Sequence, residues 1–126
     1  MSQQRAIAFR AREQAILNAA EYLLLELGDE SITIEMIAER VGIAKGTIYK
    51  HFQSKDELIL QLLIAYESEL AVTMLEAAKS DDIAQIIQAY FSFRLSAPEK
   101  HLLFERLENK LAATRRTLRP YFARLY

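Results

Sequence analysis

Two short apolar stripes separated by one glycine constrain this chain most. Ile34, Ile37, Ala38 and Val41 recur at i, i+3, i+4 and i+7, and Ala44, Ile48 and Phe52 follow at spacings of four. Both patterns have the period of an amphipathic helix. Gly42 stands between them, where a left-handed residue ends one helix and turns the chain into the next. Helix nucleation is costly and short helices make few bonds to offset it, so neither segment is stable alone. Both must be held by packing against other parts of the chain.

The remaining residues supply that packing. The 126-residue sequence contains only Gly28, Gly42 and Gly46 as glycines and only Pro98 and Pro120 as prolines. β-branched alternation is scarce and the 3.6-residue period recurs, which predicts an all-α fold. A first helix is expected over 12–27, with Ile16, Ala20, Leu23, Leu24 and Leu27 as its stripe and Gly28 just past its end. The second is expected over 33–41, with the Thr33 hydroxyl as its cap, and the third over 44–52. Ser54, Lys55, Asp56 and Glu57 read as a capping box opening a long helix toward Lys79. Ser80-Asp81-Asp82 marks a new start, and that helix runs to about Leu95. Pro98 suits the first turn of another, because its missing N–H has no helical partner there. The segment from Asn109 is basic and aromatic, with Pro120 expected to break or kink it. These signals divide the chain into a three-helix head, residues 1–54, and a helical region, residues 55–126.

The third helix raises the functional question. Ala44, Ile48 and Phe52 share its apolar side, while Gly46, Thr47, Tyr49 and Lys50 occupy the other arc, with Lys45 and His51 on its flanks. Arg40, Lys45, Lys50, His51 and Lys55 lie in a stretch from 40 to 55 without Asp or Glu, although the whole chain has a formal charge of −1. A near-neutral protein binds polyanions through such local patches. Two short helices joined at a glycine form a helix-turn-helix, whose second helix enters the major groove of DNA. Lysines neutralise phosphate, threonine meets a base edge or thymine methyl, and tyrosine reaches phosphate or base. Gly46 keeps no side chain between backbone and duplex. A three-helix packing motif with a solvated face would leave this glycine unexplained, since mid-helix glycine costs about 1 kcal/mol relative to alanine. Lys55 sits in the first turn of the fourth helix, where the macrodipole favours anions. That position fits either a bound anion or ordinary surface variation.

Other classes find little support. With no cysteine there is no disulfide, thiolate metal site or cysteine nucleophile, which suits a reducing cytoplasm. His51 and His101 are the only histidines and form no pair at metal-ligand spacing. Phosphate loops, GxSxG and glycine-rich nucleotide turns are missing, so neither catalysis nor a cofactor or metal is expected. The longest nearly apolar run, Leu58 to Tyr66, is broken by Gln61 and too short for a bilayer. Arg5, Arg10 and Arg12 precede no charge-free apolar stretch, so no signal peptide and no membrane association are expected. Tyr90, Phe91, Phe93, Phe104, Tyr121 and Phe122 suit a core, a partner groove or an apolar ligand pocket.

Taken together, ILNAAEYLLLELG, TIEMIAERVGIAKGTIYKHF and SKDEL resemble the N-terminal domain of the tetracycline-repressor (TetR) family of bacterial transcription regulators. The resemblance covers about residues 10–60 without a gap. It implies a homodimer placing one recognition helix per subunit in successive major grooves of a palindromic double-stranded operator. The implied DNA contacts fall on Ala44, Lys45, Gly46, Thr47, Tyr49, Lys50 and His51, with Thr33 and Lys55 meeting phosphates. It further implies a helical regulatory domain, residues 55–126 being part of it, that binds a small apolar or aromatic effector and releases DNA when occupied. Tyr90, Phe91, Phe104 and Tyr121 are the candidate effector-pocket residues. Asp29 and Ile32 depart from the family, which often has an aromatic and a hydroxyl residue there. Members also commonly run longer, so the natural protein is expected to continue past Tyr126 with helices that form the dimer.

Overall fold

The computed structural model describes the backbone of residues 2–122 and the side chains of residues 2–113. Among the described residues six helices follow one another, α1 (Gln3–Leu27), α2 (Ile34–Val41), α3 (Lys45–Ile48), α4 (Lys55–Ala78), α5 (Ile83–Ser96) and α6 (Pro98–Phe122). No strand occurs among the described residues, and the fold is all-α. The chain divides into two compact units, Met1–Ile64 and Ala65–Tyr126, with the boundary inside α4.

In the first unit, α1 begins well before the expected start near Arg12. Ser2 caps it, its Oγ accepting from the Arg5 N–H at 3.1 Å. Arg5, Ala6, Ala8, Arg10 and Ala11 are strong helix formers, so the helix needs no apolar stripe to begin there. It ends as expected at Gly28, whose φ is 83° and whose N–H donates to the Leu24 carbonyl at 2.9 Å. Thr33 caps α2 by accepting from Met36 N–H at 3.2 Å. Gly42 closes α2 in the left-handed conformation, φ 84° and ψ 34°. α1 packs on α2 and α2 on α3. Ile16, Ala20, Leu24, Ile32, Ile37, Ile48 and Leu58 are at most 1 % exposed and form the core, joined by Phe52.

The α-helical part of α3 is shorter than the expected 44–52. After Ile48 the chain tightens into turns, with Lys50 N–H on Thr47 O at 3.2 Å and His51 N–H on Ile48 O at 2.9 Å. Such i→i+3 bonds commonly close a last helical turn. They bring Phe52 into the core one turn after Ile48. The capping of α4 is reciprocal, with a shift from the expected box. Glu57 N–H donates to Ser54 Oγ at 3.1 Å, and the Glu57 carboxylate accepts from Gln53 N–H rather than from Ser54.

By length and composition alone, α4 would suffice to cross a bilayer. Its Leu58, Leu62, Leu63, Tyr66 and Leu70 are buried within the protein.

In the second unit, Tyr66 stacks on Phe104 with centroids 4.8 Å apart and meets Phe93 at 5.4 Å. Leu70, Leu103 and Leu107 are buried with them. Asp82 caps α5, its Oδ1 accepting from Ala84 N–H at 2.9 Å. α5 packs against α6, yet none of its side chains is fully buried, and Ile83, Ile87, Phe91 and Leu95 form an exposed stripe. α6 continues through Pro120 to Phe122, so Pro120 does not break it. The side chain of Tyr121 lies outside the described residues.

Candidate nucleic-acid interface

Ile48 is fully buried and fixes α3 to the core. Around it, Ala44, Lys45, Gly46, Tyr49 and Lys50 are exposed and Thr47 is half-buried. These six share the outer surface of α3 and its flanking turn. Gly46 has no left-handed φ, and a Cβ built on it would meet nothing within 4 Å. The fold therefore has room for a side chain at this position.

Several of the charged groups are already engaged. The Lys45 ammonium forms a salt bridge with the Glu35 carboxylate. This pairing raises the Lys45 pKa and lowers that of Glu35, the side-chain hydrogen bond being the main cause in each. Both groups are at the surface, so an incoming phosphate competes with a well-solvated partner. Thr33 uses its oxygen as an acceptor in the cap, and its O–H donates to the Glu35 carboxylate. Lys55 Nζ donates to the carbonyls of Asp29 at 2.9 Å and Ile32 at 3.0 Å. A lysine in an unfavourable first turn thus has an internal reason, because it ties the α1–α2 loop. An ammonium has three donors, so these two bonds leave one for another acceptor.

His51 is placed differently from the others. Its side chain is fully buried and lies between residues of α1. The ring stacks on Phe9 with centroids 4.0 Å apart and planes 21° from parallel. Arg12 Nε donates to His51 Nε2 at 3.0 Å, and Nδ1 lies 3.3 Å from Glu13 Oε2. Nε2 must be the acceptor for Arg12, so Nδ1 carries the proton and donates to Glu13 in a neutral ring. The sequence does not join Phe9, Arg12 and Glu13 to His51, because Phe9 precedes the expected first helix and Arg12 and Glu13 lie 39 and 38 residues from His51. The signal available was the aromatic Phe9 within an Arg/Ala-rich stretch.

The aromatic candidates of the second unit separate. Phe104 is fully buried, while Phe91 is 55 % exposed and in edge contact with Tyr90, centroids 5.5 Å apart. A polar group not anticipated from the sequence lies beside them. Arg94 Nη1 donates to Tyr66 Oη at 3.0 Å and to His101 Nδ1 at 2.8 Å. His101 Nε2 also lies 3.5 Å from Glu105 Oε2, one turn along α6. Burial, with Glu108 second, raises the Glu67 pKa. No group of side chains able to hold a metal occurs among the described residues.

A short helix fixed by one buried isoleucine, following a left-handed glycine and turning a polar face outward, defines a helix-turn-helix head. Residues 16–62 match the family described as bacterial regulatory proteins, tetR family, and this match supports a TetR-family regulator. It is 42 % identical over 52 residues to an uncharacterised HTH-type transcriptional regulator, YdeS, of Bacillus subtilis, covering 41 % of this chain and 26 % of the relative. Against the HTH-type transcriptional repressor AcnR of Corynebacterium diphtheriae it is 33 % identical over 90 residues, covering 71 % of this chain and 43 % of the relative. The chain thus spans less than half the length of these relatives. A crystal structure of a putative tetR family transcription regulator from a Shewanella species superposes with TM-score 0.66 at 28 % identity, covering 74 % of this chain and 52 % of the other. A transcriptional regulator of Aquifex aeolicus shares the fold with TM-score 0.68 at 22 % identity, covering 77 % and 56 %.

Proposed function

We propose that this chain is the DNA-binding head, residues 1–54, and part of the regulatory domain, residues 55–126, of a cytoplasmic transcriptional regulator. It acts as a homodimer that recognises a palindromic operator in double-stranded DNA and represses transcription until a small apolar or aromatic effector binds. The observation that carries the reading is the exposed arc of α3, with Gly46, Thr47, Tyr49 and Lys50 held outward by the buried Ile48. Ala44 and Lys45 adjoin the arc, and Thr33 and Lys55 serve as phosphate anchors. His51 contributes by holding the turn after α3, since its ring is buried. No catalytic role is proposed. In the regulatory domain, Tyr90 and Phe91 are the described pocket candidates nearest the surface, and the apolar stripe of α5 offers area for a dimer partner.

Gel-shift titration against random-sequence and selected duplexes tests this reading. Binding should favour one family of sequences and fall steeply with salt, log K declining by about 0.9 per neutralised phosphate for each unit of log salt. Equal, weak binding to all duplexes would overturn it.

A further inference from the structure

We infer that the N-terminal turns of α1 extend the DNA interface, with Arg5 meeting a phosphate of the duplex beyond the base pairs read by α3. The inference rests on the DNA-binding reading above. Arg5, Ala8, Phe9 and Arg12 line one open groove on the surface of α1. Their spacing of three, four and seven residues places them on one helical face.

Two members of that face, Phe9 and Arg12, grip His51 at the end of the recognition turn, by stacking at 4.0 Å and a hydrogen bond of 3.0 Å. The groove is thus tied through His51 to the turn that follows Lys50. Arg5 lies one turn beyond Phe9, about 6 Å farther along the helix axis. Ser2 caps the helix end and orders the turn that carries Arg5.

The chemistry of the groove favours a phosphodiester backbone. Residues 2–12 include Arg5, Arg10 and Arg12 and no acid, and Glu13, the next acid, is turned onto His51. The Arg5 side chain is exposed, and a guanidinium matches phosphate with two parallel N–H bonds. Ala8 is small enough to let a sugar–phosphate chain approach, and Phe9 gives the groove an apolar floor. Such contacts position a protein on DNA without reading its sequence.

The test uses the full-length protein and a duplex that it selects from a random-sequence library. Arg5→Gln should reduce the slope of log K against log salt by about 0.9 per protomer and leave base preferences unchanged. Arg5→Lys, which keeps the charge, should restore the slope. Trimming the duplex to its selected core should bring the unaltered protein down to the slope of Arg5→Gln. If the slopes are identical while Thr47→Ala still changes base preference, this inference fails and the helix-turn-helix reading stands. If Arg5→Gln instead weakens self-association in sedimentation with no change of slope, the face belongs to a second copy and the inference is overturned. If no duplex is selected, the underlying reading fails and this inference with it.

Discussion

The imidazole of His51 lies against the phenyl ring of Phe9, with centroids 4.0 Å apart and planes inclined by 21°. This stack joins the turn after the recognition helix to the second turn of α1. Arg12 and Glu13 complete the enclosure by bonding the two ring nitrogens. The α-helical part of α3 is only four residues long, so its direction depends on what holds its two ends. Ile48 fixes one side and His51 fixes the exit.

Phe9→Ala should therefore act on a surface it does not itself form. Loss of the aromatic pair and its buried area should lower stability by about 1–3 kcal/mol, read as a lower urea midpoint. Sequence-specific DNA binding should weaken further than that of Phe9→Tyr, which keeps the stack. Unchanged stability in Phe9→Ala would show that the stack does not hold the turn.

Gly42 and Gly46 should respond in opposite ways to alanine. Gly42 sits at φ 84°, where a Cβ is strained whatever the space, and Gly42→Ala should destabilise by about 1–2 kcal/mol. Gly46 has ordinary backbone geometry and open space around a built Cβ. Gly46→Ala should leave the melting temperature equal or slightly higher while weakening DNA binding. A Gly46→Ala protein that unfolds early would contradict the assignment of this glycine to the DNA face.

Lys55→Ala should produce two separable effects. Removing the bonds to the Asp29 and Ile32 carbonyls should cost about 1.5–3 kcal/mol of stability, the range for hydrogen bonds involving a charged group. If Lys55 also meets a phosphate, the salt slope should fall by about one without a change of base preference. Unfolding and salt-titration experiments on the same variant report each effect independently.

The extent to which the sequence announces these features follows from their physics. α2 and the left-handed Gly42 are legible because apolar period and turn chemistry agree there. The start of α1 is not, because Arg5 to Ala11 form a helix by propensity and a cap while pattern reading waits for a stripe. His51 looks like a surface residue on a helical wheel extended to Phe52. The chain leaves α-helical geometry after Ile48, and the tighter turn carries the ring inward to Phe9. Lys55 suggests an anion by its position in the helix, whereas its partners are carbonyls 26 and 23 residues away in sequence. The Arg94 group escapes notice for the same reason, since Tyr66 lies 28 residues from Arg94.

Glu67 gives a pH dependence with a definite sign. Burial, and then the neighbouring Glu108, raise its pKa above the ordinary 4.5. The folded protein therefore holds this proton more tightly than the unfolded chain does. The associated stability is present below about pH 4.5 and is lost as pH rises through the raised folded-state value. Glu67→Gln removes this titration, so the variant should gain stability relative to the unaltered protein as pH rises from about 4.5 to 7. A stability difference that stays flat across that range would show that Glu67 titrates normally.

Base preference at single-nucleotide resolution decides whether α3 reads DNA sequence. Tyr49, Lys50 and Thr47 lie on the outward arc of α3, and Thr47 is the residue placed to meet a base edge or thymine methyl. Affinities of the unaltered protein and Thr47→Ala should be measured against every single-base variant of a selected operator. Thr47→Ala should relax discrimination by about 1–3 kcal/mol at one base pair per half-site and leave the others unchanged. A uniform loss at all positions, or no loss at any, would contradict the claim that this face of α3 reads DNA sequence.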